Sequence, residues 1–326
     1  MIIDRIHVHE APRYPVEDLA GLSPGELDDL LSDGFRWYRR SELPTWRMAS
    51  SALGALLEHV PAVRNQAGLL VFATESVFDE AAEIRGPTPR LGVRDDLLRA
   101  VTENGLDSCD ITGVWLNGCA NIAAALEYAD AMMRARDYAS AVVVTTDRFG
   151  TDESRLVPPK RSERLKLHGA GSDVATAVLL RKSSEGAGLK YLATTFASSG
   201  KCRQEHEAIG GNRNDFAYVL ELAKLVRKSA SAFKKQNGIS LGDVTHVVLA
   251  NYMRSELSLY LTGLGVRDNQ IRMPSKADYG HAVSSDCMVS LRSMLAGGEI
   301  KSGERVAVAS FGPFSIGITL FVYEEQ

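Results

Sequence analysis

Cys119 stands in Val114-Trp115-Leu116-Asn117-Gly118-Cys119-Ala120-Asn121, between a short apolar run and a long Ala-rich stretch. Beyond it, Glu127, Asp130, Arg134 and Asp137 recur at steps of three and four. They place one polar stripe on an otherwise apolar helix, Asn121–Tyr138, which must then be largely buried. The helix leads into Ala141–Thr146, a β-branched run that reads as an interior strand. A thiol at the first turn of a buried helix feels the positive end of the helix dipole, which favours the thiolate. Strand, tight glycine turn and helix is also an arrangement that lifts a nucleophile onto a sharp turn. A free cysteine is commonly no more than a small buried hydrophobe; the turn and the helix start favour a nucleophile here.

The elements that must hold such a turn are legible as alternating periodicities. Apolar, β-like runs occupy Gly68–Thr74, Ala141–Thr146, Val174–Leu180, Thr245–Ala250, Arg305–Ser310 and Ile316–Val322. Helical patterns occupy Thr45–His59, Asn121–Tyr138, Phe216–Lys235, Ser255–Leu264 and Cys287–Leu295. Alternation of this kind predicts α/β layers. Val247-Val248-Leu249-Ala250-Asn251 and its following helix echo the Cys119 strand, turn and helix, so the second half repeats the first in topology. Residues 181–190 have linker composition. Residues 150–168, rich in Lys, Arg, Pro and Ser, read as a surface loop, and the polar segment 197–215 reads as another.

Composition narrows the function classes. Of 326 residues, 45% are apolar and 24% charged, with a formal charge of −4. That describes a soluble globular chain large enough for two core-forming halves. A slightly acidic chain gives no reason to expect nucleic acid. No apolar run approaches a membrane span, and residues 1–20 lack the basic and apolar regions of a signal peptide. Cysteines 109, 119, 202 and 287 show neither C-x-x-C spacing nor a disulfide framework, so no metal site is expected and a reducing cytoplasm is the natural setting.

Four further segments take their place after the Cys119 turn. They are Gly169-Ala170-Gly171-Ser172-Asp173 before Val174–Val178, Leu249-Ala250-Asn251-Tyr252-Met253-Arg254, Tyr279-Gly280-His281-Ala282-Val283-Ser284-Ser285, and Phe311-Gly312-Pro313-Phe314-Ser315-Ile316-Gly317. In this order the five segments resemble the ketoacyl-ACP synthase III family of the thiolase fold, over nearly the whole chain. The resemblance implies two similar α/β halves, residues 1–182 and 183–326, in a five-layered αβαβα arrangement. The first half would carry the nucleophile and the second the His and Asn motifs.

The departures from the family pattern bear on chemistry. Condensing members use a Cys nucleophile with a His and an Asn that stabilise the enolate of a decarboxylated malonyl thioester. Here Asn251 holds the family's His position and His281 its Asn position. Either the two have exchanged places and condensation is retained, or His281 has become a general base for another acceptor. The second reading gains from Asp286, five residues on at a helix start, since a carboxylate on one imidazole nitrogen fixes the tautomer and stabilises the imidazolium. Such a Cys-His-Asp set resembles the ketoacyl-synthase-III-like acyltransferases of antibiotic pathways, which acylate oxygen or nitrogen acceptors.

On that resemblance the catalytic set is Cys119, His281, Asp286 and Asn251, with the backbone N–H groups of Cys119 and Gly312 as oxyanion donors. An acyl-ACP or acyl-CoA thioester is the donor, and a small alcohol or amine, such as a sugar or polyketide-type hydroxyl, is the acceptor. No permanently bound cofactor is implied. Plainer roles stand beside these: Asp286 as an acidic first-turn residue, Asn251 as a helix cap, and Cys287 as packing. His168, His206 and His246 read as surface or strand-end residues. Lys160, Arg161, Arg164 and Lys166 read as a solvated face that could dock an acidic carrier protein. A homodimer is expected, formed through the family's strand after the nucleophile helix, here Ala141–Thr146. A catalytically silent partner subunit is a third reading, against which the retained Cys119 speaks.

Overall fold

In the computed structural model, the described residues are 1–76, 95–150, 153–157, 167–182, 188–207 and 215–325. The first half runs β1 (Ile2–His9), β2 (Arg13–Pro15), α1 (Pro24–Ser32), β3 (Trp37–Arg39), α2 (Thr45–His59), α3 (Val63–Gln66) and β4 (Ala67–Ala73). It continues through α4 (Asp95–Glu103), β5 (Asp110–Val114), α5 (Asn121–Arg136), β6 (Ser140–Asp147), β7 (Leu156–Val157), β8 (Gly169–Ala170) and β9 (Val174–Arg181). The second half runs β10 (Gly188–Ser198), α6 (Gly200–Glu207), α7 (Asp215–Asn237), β11 (His246–Leu249), α8 (Arg254–Leu264) and β12 (Ile271–Arg272). It closes with α9 (Lys276–Tyr279), α10 (Asp286–Ala296), β13 (Arg305–Phe311) and β14 (Ser315–Glu324).

Ten strands hydrogen-bond in the order β12-β11-β13-β14-β10-β1-β9-β6-β4-β5. From edge to centre one half reads β5-β4-β6-β9-β1 and the other β12-β11-β13-β14-β10. In each, the three outer strands are parallel, while β9 and β14 run antiparallel to both neighbours. The halves join where β1 meets β10, at Ile2↔Lys190 and Ile3↔Leu189. The halves therefore repeat as five strands, but in a different register from the sequence echo: β11 takes the place of β4 and not of β5, and α10 that of α5. The boundary at 182/183 falls in the connection between β9 and β10.

β6 and most of β4 and β9 are buried along their length instead of alternating, as strands covered on both faces must be. Three apolar clusters fill the spaces between layers. Helices α2 and α4 pack outside one half-sheet, through Leu53, Leu56, Leu57 and Ala100 on Leu70, Val142 and Leu179. Helices α7 and α8 pack outside the other, through Leu222, Val226 and Leu257 on Val247, Ala307 and Ile318. Between the half-sheets lie α5 and α10, whose Ile122, Leu126, Met288 and Leu291 meet Val71, Val143, Val248 and Val308. The result is the αβαβα thiolase-like arrangement.

Several elements depart from the sequence expectations. The helix after Cys119 stops at Arg136, because Asp137 turns left-handed at φ 58°. The segment 197–215 contains α6. Within 150–168, Arg155 and Leu156 are buried, and Arg155 bonds both oxygens of buried Asp173 at 3.0 and 2.7 Å. Lys160, Arg161, Arg164 and Lys166 lie outside the described residues. β6 sits between β9 and β4 with both edges paired, so it cannot add a strand across a dimer. Among the described residues, the unpaired edges of the sheet belong to β5 and β12.

Candidate active site

The two central-layer helices start side by side. Cys119 lies in a one-turn 3-10 segment, Gly118–Ala120, that runs straight into α5, and Asp286 is the first residue of α10. Both helix starts present the positive ends of their dipoles to the same place.

The Cys119 turn is fixed by backbone geometry that few residues tolerate. Leu116 has φ 77° and Gly118 φ 59°. A Cβ on Gly118 would come within 2.9 Å of Gly312 Cα, so only glycine lets the two loops touch. Glu75, just after β4, holds the turn from below: its Oε1 accepts from Asn117 N at 3.0 Å, Gly118 N at 2.7 Å and Asn121 Nδ2 at 2.6 Å. Ser315 Oγ donates to Asn117 O at 2.6 Å from the other half.

His281 is strapped to the glycine-rich turn at 169–172. Its N–H donates to Ala170 O at 2.7 Å and its carbonyl accepts from Ser172 N at 2.8 Å. Gly280, at φ 56°, passes so close to Ala170 O that an added Cβ would lie 2.5 Å from that oxygen. After His281 the chain turns sharply at Val283, which takes φ 49°, a costly conformation for a β-branched residue. That bend brings Asp286 back. Its Oδ1 accepts from Ala282 N at 2.6 Å and its Oδ2 from Asn251 N at 3.0 Å. Asp147, at the end of β6, pins the same bend by accepting from Ser284 N at 3.1 Å.

These supports place Cys119 Sγ 3.5 Å from His281 Nε2, and His281 Nδ1 2.6 Å from Asp286 Oδ2. The carboxylate oxygen lies off the line of the ring N–H, so this contact is ionic in character more than a well-aligned hydrogen bond. Cys119 is 3% exposed, His281 2% and Asp286 0%. Burial alone would lower the imidazole pKa. The charge of Asp286, and then that of the Cys119 sulfur, outweigh it and raise it to about 10. The site thus favours the charged imidazole, set between a carboxylate and a sulfur, an arrangement in which a histidine can take, carry and return a proton.

Tyr252 is the residue that the sequence reading passed over. Its hydroxyl lies 3.1 Å from Cys119 Sγ, and its ring stacks on the His281 ring at 4.4 Å between centroids and 28° between planes. Its position beside Asn251, in the segment aligned with the family's histidine motif, was the available signal.

Two expected groups are engaged elsewhere. Asn251 is buried, but its Nδ2 donates to Ser275 Oγ at 3.1 Å and to Gly280 O at 2.7 Å. Both amide hydrogens thus brace the His281 loop, and the helix that follows is capped without its side chain. The Gly312 N–H, expected to face an oxyanion, donates to Ser315 O at 2.8 Å within its own turn. Cys287 packs in the central layer, where burial pushes its thiol up. His246 pairs with Glu304 at 2.9 Å and His168 with Glu256 at 3.3 Å, both away from the thiol.

Comparison with known proteins agrees with this architecture. Residues 235–322 match the family profile of the C-terminal part of 3-oxoacyl-[acyl-carrier-protein] synthase III. No curated protein sequence matches the chain significantly. Among solved structures, ChlB3, described as an acyltransferase, superposes with a TM-score of 0.78 at 19% identity, covering 100% of this chain and 98% of its own. FabH, the 3-oxoacyl-(acyl carrier protein) synthase III of Pseudomonas aeruginosa PAO1, gives 0.71 at 19% identity, over 99% and 98%. A form of OleA from Xanthomonas campestris gives 0.75 at 16% identity, over 98% of each chain. At these identities the likeness is one of fold.

Proposed function

Starting from a ketoacyl-synthase-III-like chain of the thiolase fold, we propose that this protein is an acyltransferase working through a Cys119 acyl-enzyme. The observation that carries the reading is the juxtaposition of Cys119 Sγ, His281 and Asp286, with gaps of 3.5 and 2.6 Å on the two imidazole nitrogens. A condensing site needs two neutral donors aimed at the enolate oxygen. Here Asn251 has spent its amide hydrogens on Ser275 and Gly280, and His281 is committed to a carboxylate.

Cys119 attacks the thioester of an acyl-ACP or acyl-CoA donor, and the proton held by His281 passes to the departing thiol. Once the sulfur is acylated, one cause of the raised imidazole pKa is gone, so the neutral base becomes accessible. A small alcohol or amine, such as a sugar or polyketide-type hydroxyl, then enters. His281 takes its proton as it attacks the thioester carbon, a service typically worth about 10²–10⁴-fold. Asp286 holds the imidazole and balances its charge. Asn251 acts as a positioning residue for the His281 loop. The setting proposed is the cytoplasm, in secondary metabolism.

The test is incubation with malonyl and simple acyl thioesters, following both carbon dioxide release and the mass of the Cys119 peptide. Acylation of Cys119 with the malonyl group intact is expected. Carbon dioxide release coupled to carbon–carbon bond formation would make the protein a condensing enzyme. An unmodified Cys119 with every donor would point to a silent subunit.

A further inference from the structure

Sulfur carries negative charge twice in the proposed cycle: before it attacks the donor, and again when it leaves the acyl group. Each time a second hydrogen-bond donor, beside the His281 imidazolium at 3.5 Å, would spread that charge further. Two nearby donors are bonded elsewhere: the Gly312 N–H to Ser315 O, and the Asn251 amide to Ser275 and Gly280. The Tyr252 hydroxyl is 3.1 Å from Sγ, with Phe311 O, at 3.5 Å, as its more distant alternative acceptor.

We infer that Tyr252 is a catalytic residue whose hydroxyl donates to the Cys119 sulfur whenever that sulfur is anionic. The phenol is held for this task from three sides. Its ring lies on His281, its N–H donates to Ala250 O at 2.8 Å, and its carbonyl accepts from Lys276 Nζ at 3.0 Å. The residue as a whole is half-buried, and its hydroxyl end is enclosed. Burial, and then the charge of Cys119, hold the phenol's proton well past its ordinary range, so this group donates and does not act as a base. Other ionisable groups near it are His281, Asp286 and Tyr260.

The role rests on the acyltransferase reading only for its chemical steps. In acylation the Sγ–carbon bond forms, the donor's carbon–sulfur bond breaks, and the His281 proton goes to the departing thiol. In transfer the acceptor's oxygen–carbon bond forms and the Sγ–carbon bond breaks. The acceptor's proton passes to His281, and Cys119 leaves as a thiolate bonded by the Tyr252 hydroxyl.

Tyr252→Phe keeps the ring contacts and deletes one hydroxyl, so it tests the donor without emptying the site. Two readouts separate this inference from the functional reading. The first is the pH profile of Cys119 alkylation by iodoacetamide, which requires no knowledge of the natural donor. A hydrogen bond to a charged group being worth roughly a 10–100-fold effect, the profile should move alkaline by about one to two pH units. The second is single-turnover acylation and transfer, both of which should slow by a similar factor. An unchanged alkylation profile, or a loss confined to transfer, overturns the inference. If no thioester acylates the wild-type thiol yet the profile shifts, Tyr252 stands as the sulfur's donor and the acyltransferase reading falls alone.

Discussion

The charge on His281 sets what each substitution in the site should do. Its pKa is raised from 6.5 to about 10. Its contribution to stability is therefore complete below about pH 6.5 and lost as pH rises through about 10. The same shift orders the two chemical steps. Acylation uses the protonated imidazole and should persist up to about pH 10. Transfer uses the neutral imidazole of the acyl-enzyme, where the sulfur's charge is gone. It should fall as pH is lowered, with a midpoint below that of the free enzyme. Single-turnover rates measured against pH for the two steps check this, and coincident profiles would remove His281 from the transfer step. His281→Ala should slow transfer about 10²–10⁴-fold, more than it slows acylation. Asp286→Asn should act in the same direction but more weakly. It also disturbs the acceptor of two buried N–H groups, from Ala282 and Asn251, so its melting temperature should drop as well. Unchanged transfer with a lowered melting temperature would leave Asp286 a purely structural carboxylate. Cys119→Ala should abolish acyl-enzyme formation while leaving the fold intact.

At the scale of elements, the bends matter more than the helices they join. The contact between His281 and Asp286, five residues apart, exists because Val283 adopts φ 49° and Gly280 lies against Ala170 O. Gly280→Ala would drive a Cβ to 2.5 Å from that oxygen in a left-handed conformation. A loss of about 1–3 kcal/mol in unfolding free energy is expected, together with slower acylation as the imidazole is displaced. Denaturant melts and the intact mass after a thioester pulse measure the two effects, and a variant normal in both would show that the loop has slack. These bends mark the limit of what the chain disclosed in advance. Cys119, His281 and Asp286 were legible because a glycine turn, an Ala-rich helix and five ordered motifs surround them. That the chain repeats was legible in its β-branched runs, but the register was misread, since β11 answers to β4 and not to β5. Tyr252 was not legible, because its hydroxyl reaches the thiol only through the packing of the second half against the first. Asn251 and Gly312 were misplaced for a related reason. Motif position names a neighbourhood, whereas the partner of an individual N–H depends on turns whose dihedral angles composition does not encode. β1 and β10, the strands that fuse the halves, carry Asp, Arg, His and Lys among their apolar residues and so hid their periodicity.

For the whole molecule, the question is what covers the sheet edge beside Cys119 that the described residues leave unpaired. Among the described residues β5 pairs only with β4, and it feeds directly into the Cys119 turn. Ile111 on that strand is 40% exposed, and Trp115 and Leu116 just after it are 49% and 55% exposed. An edge strand with unpaired N–H and C=O groups and a run of exposed apolar side chains is a template for another strand. β12, the other edge, has two residues and offers little. If the expected homodimer forms, it should therefore form through β5, with β6 remaining an interior strand. In such a dimer each copy would press on the partner's Trp115-Leu116 corner, two residues before the glycine of the nucleophile turn. Light scattering should give twice the chain mass for the wild type at micromolar concentration. Ile111→Lys places a charge in the middle of the edge and should shift the population to monomer. Because Leu116 sits at φ 77° in the chain that delivers Cys119, the monomer should also acylate more slowly even though no catalytic side chain has changed. A dimer that survives Ile111→Lys would place the interface on another face, and a monomeric variant with undiminished acylation would show that the turn holds its strained shape without a partner.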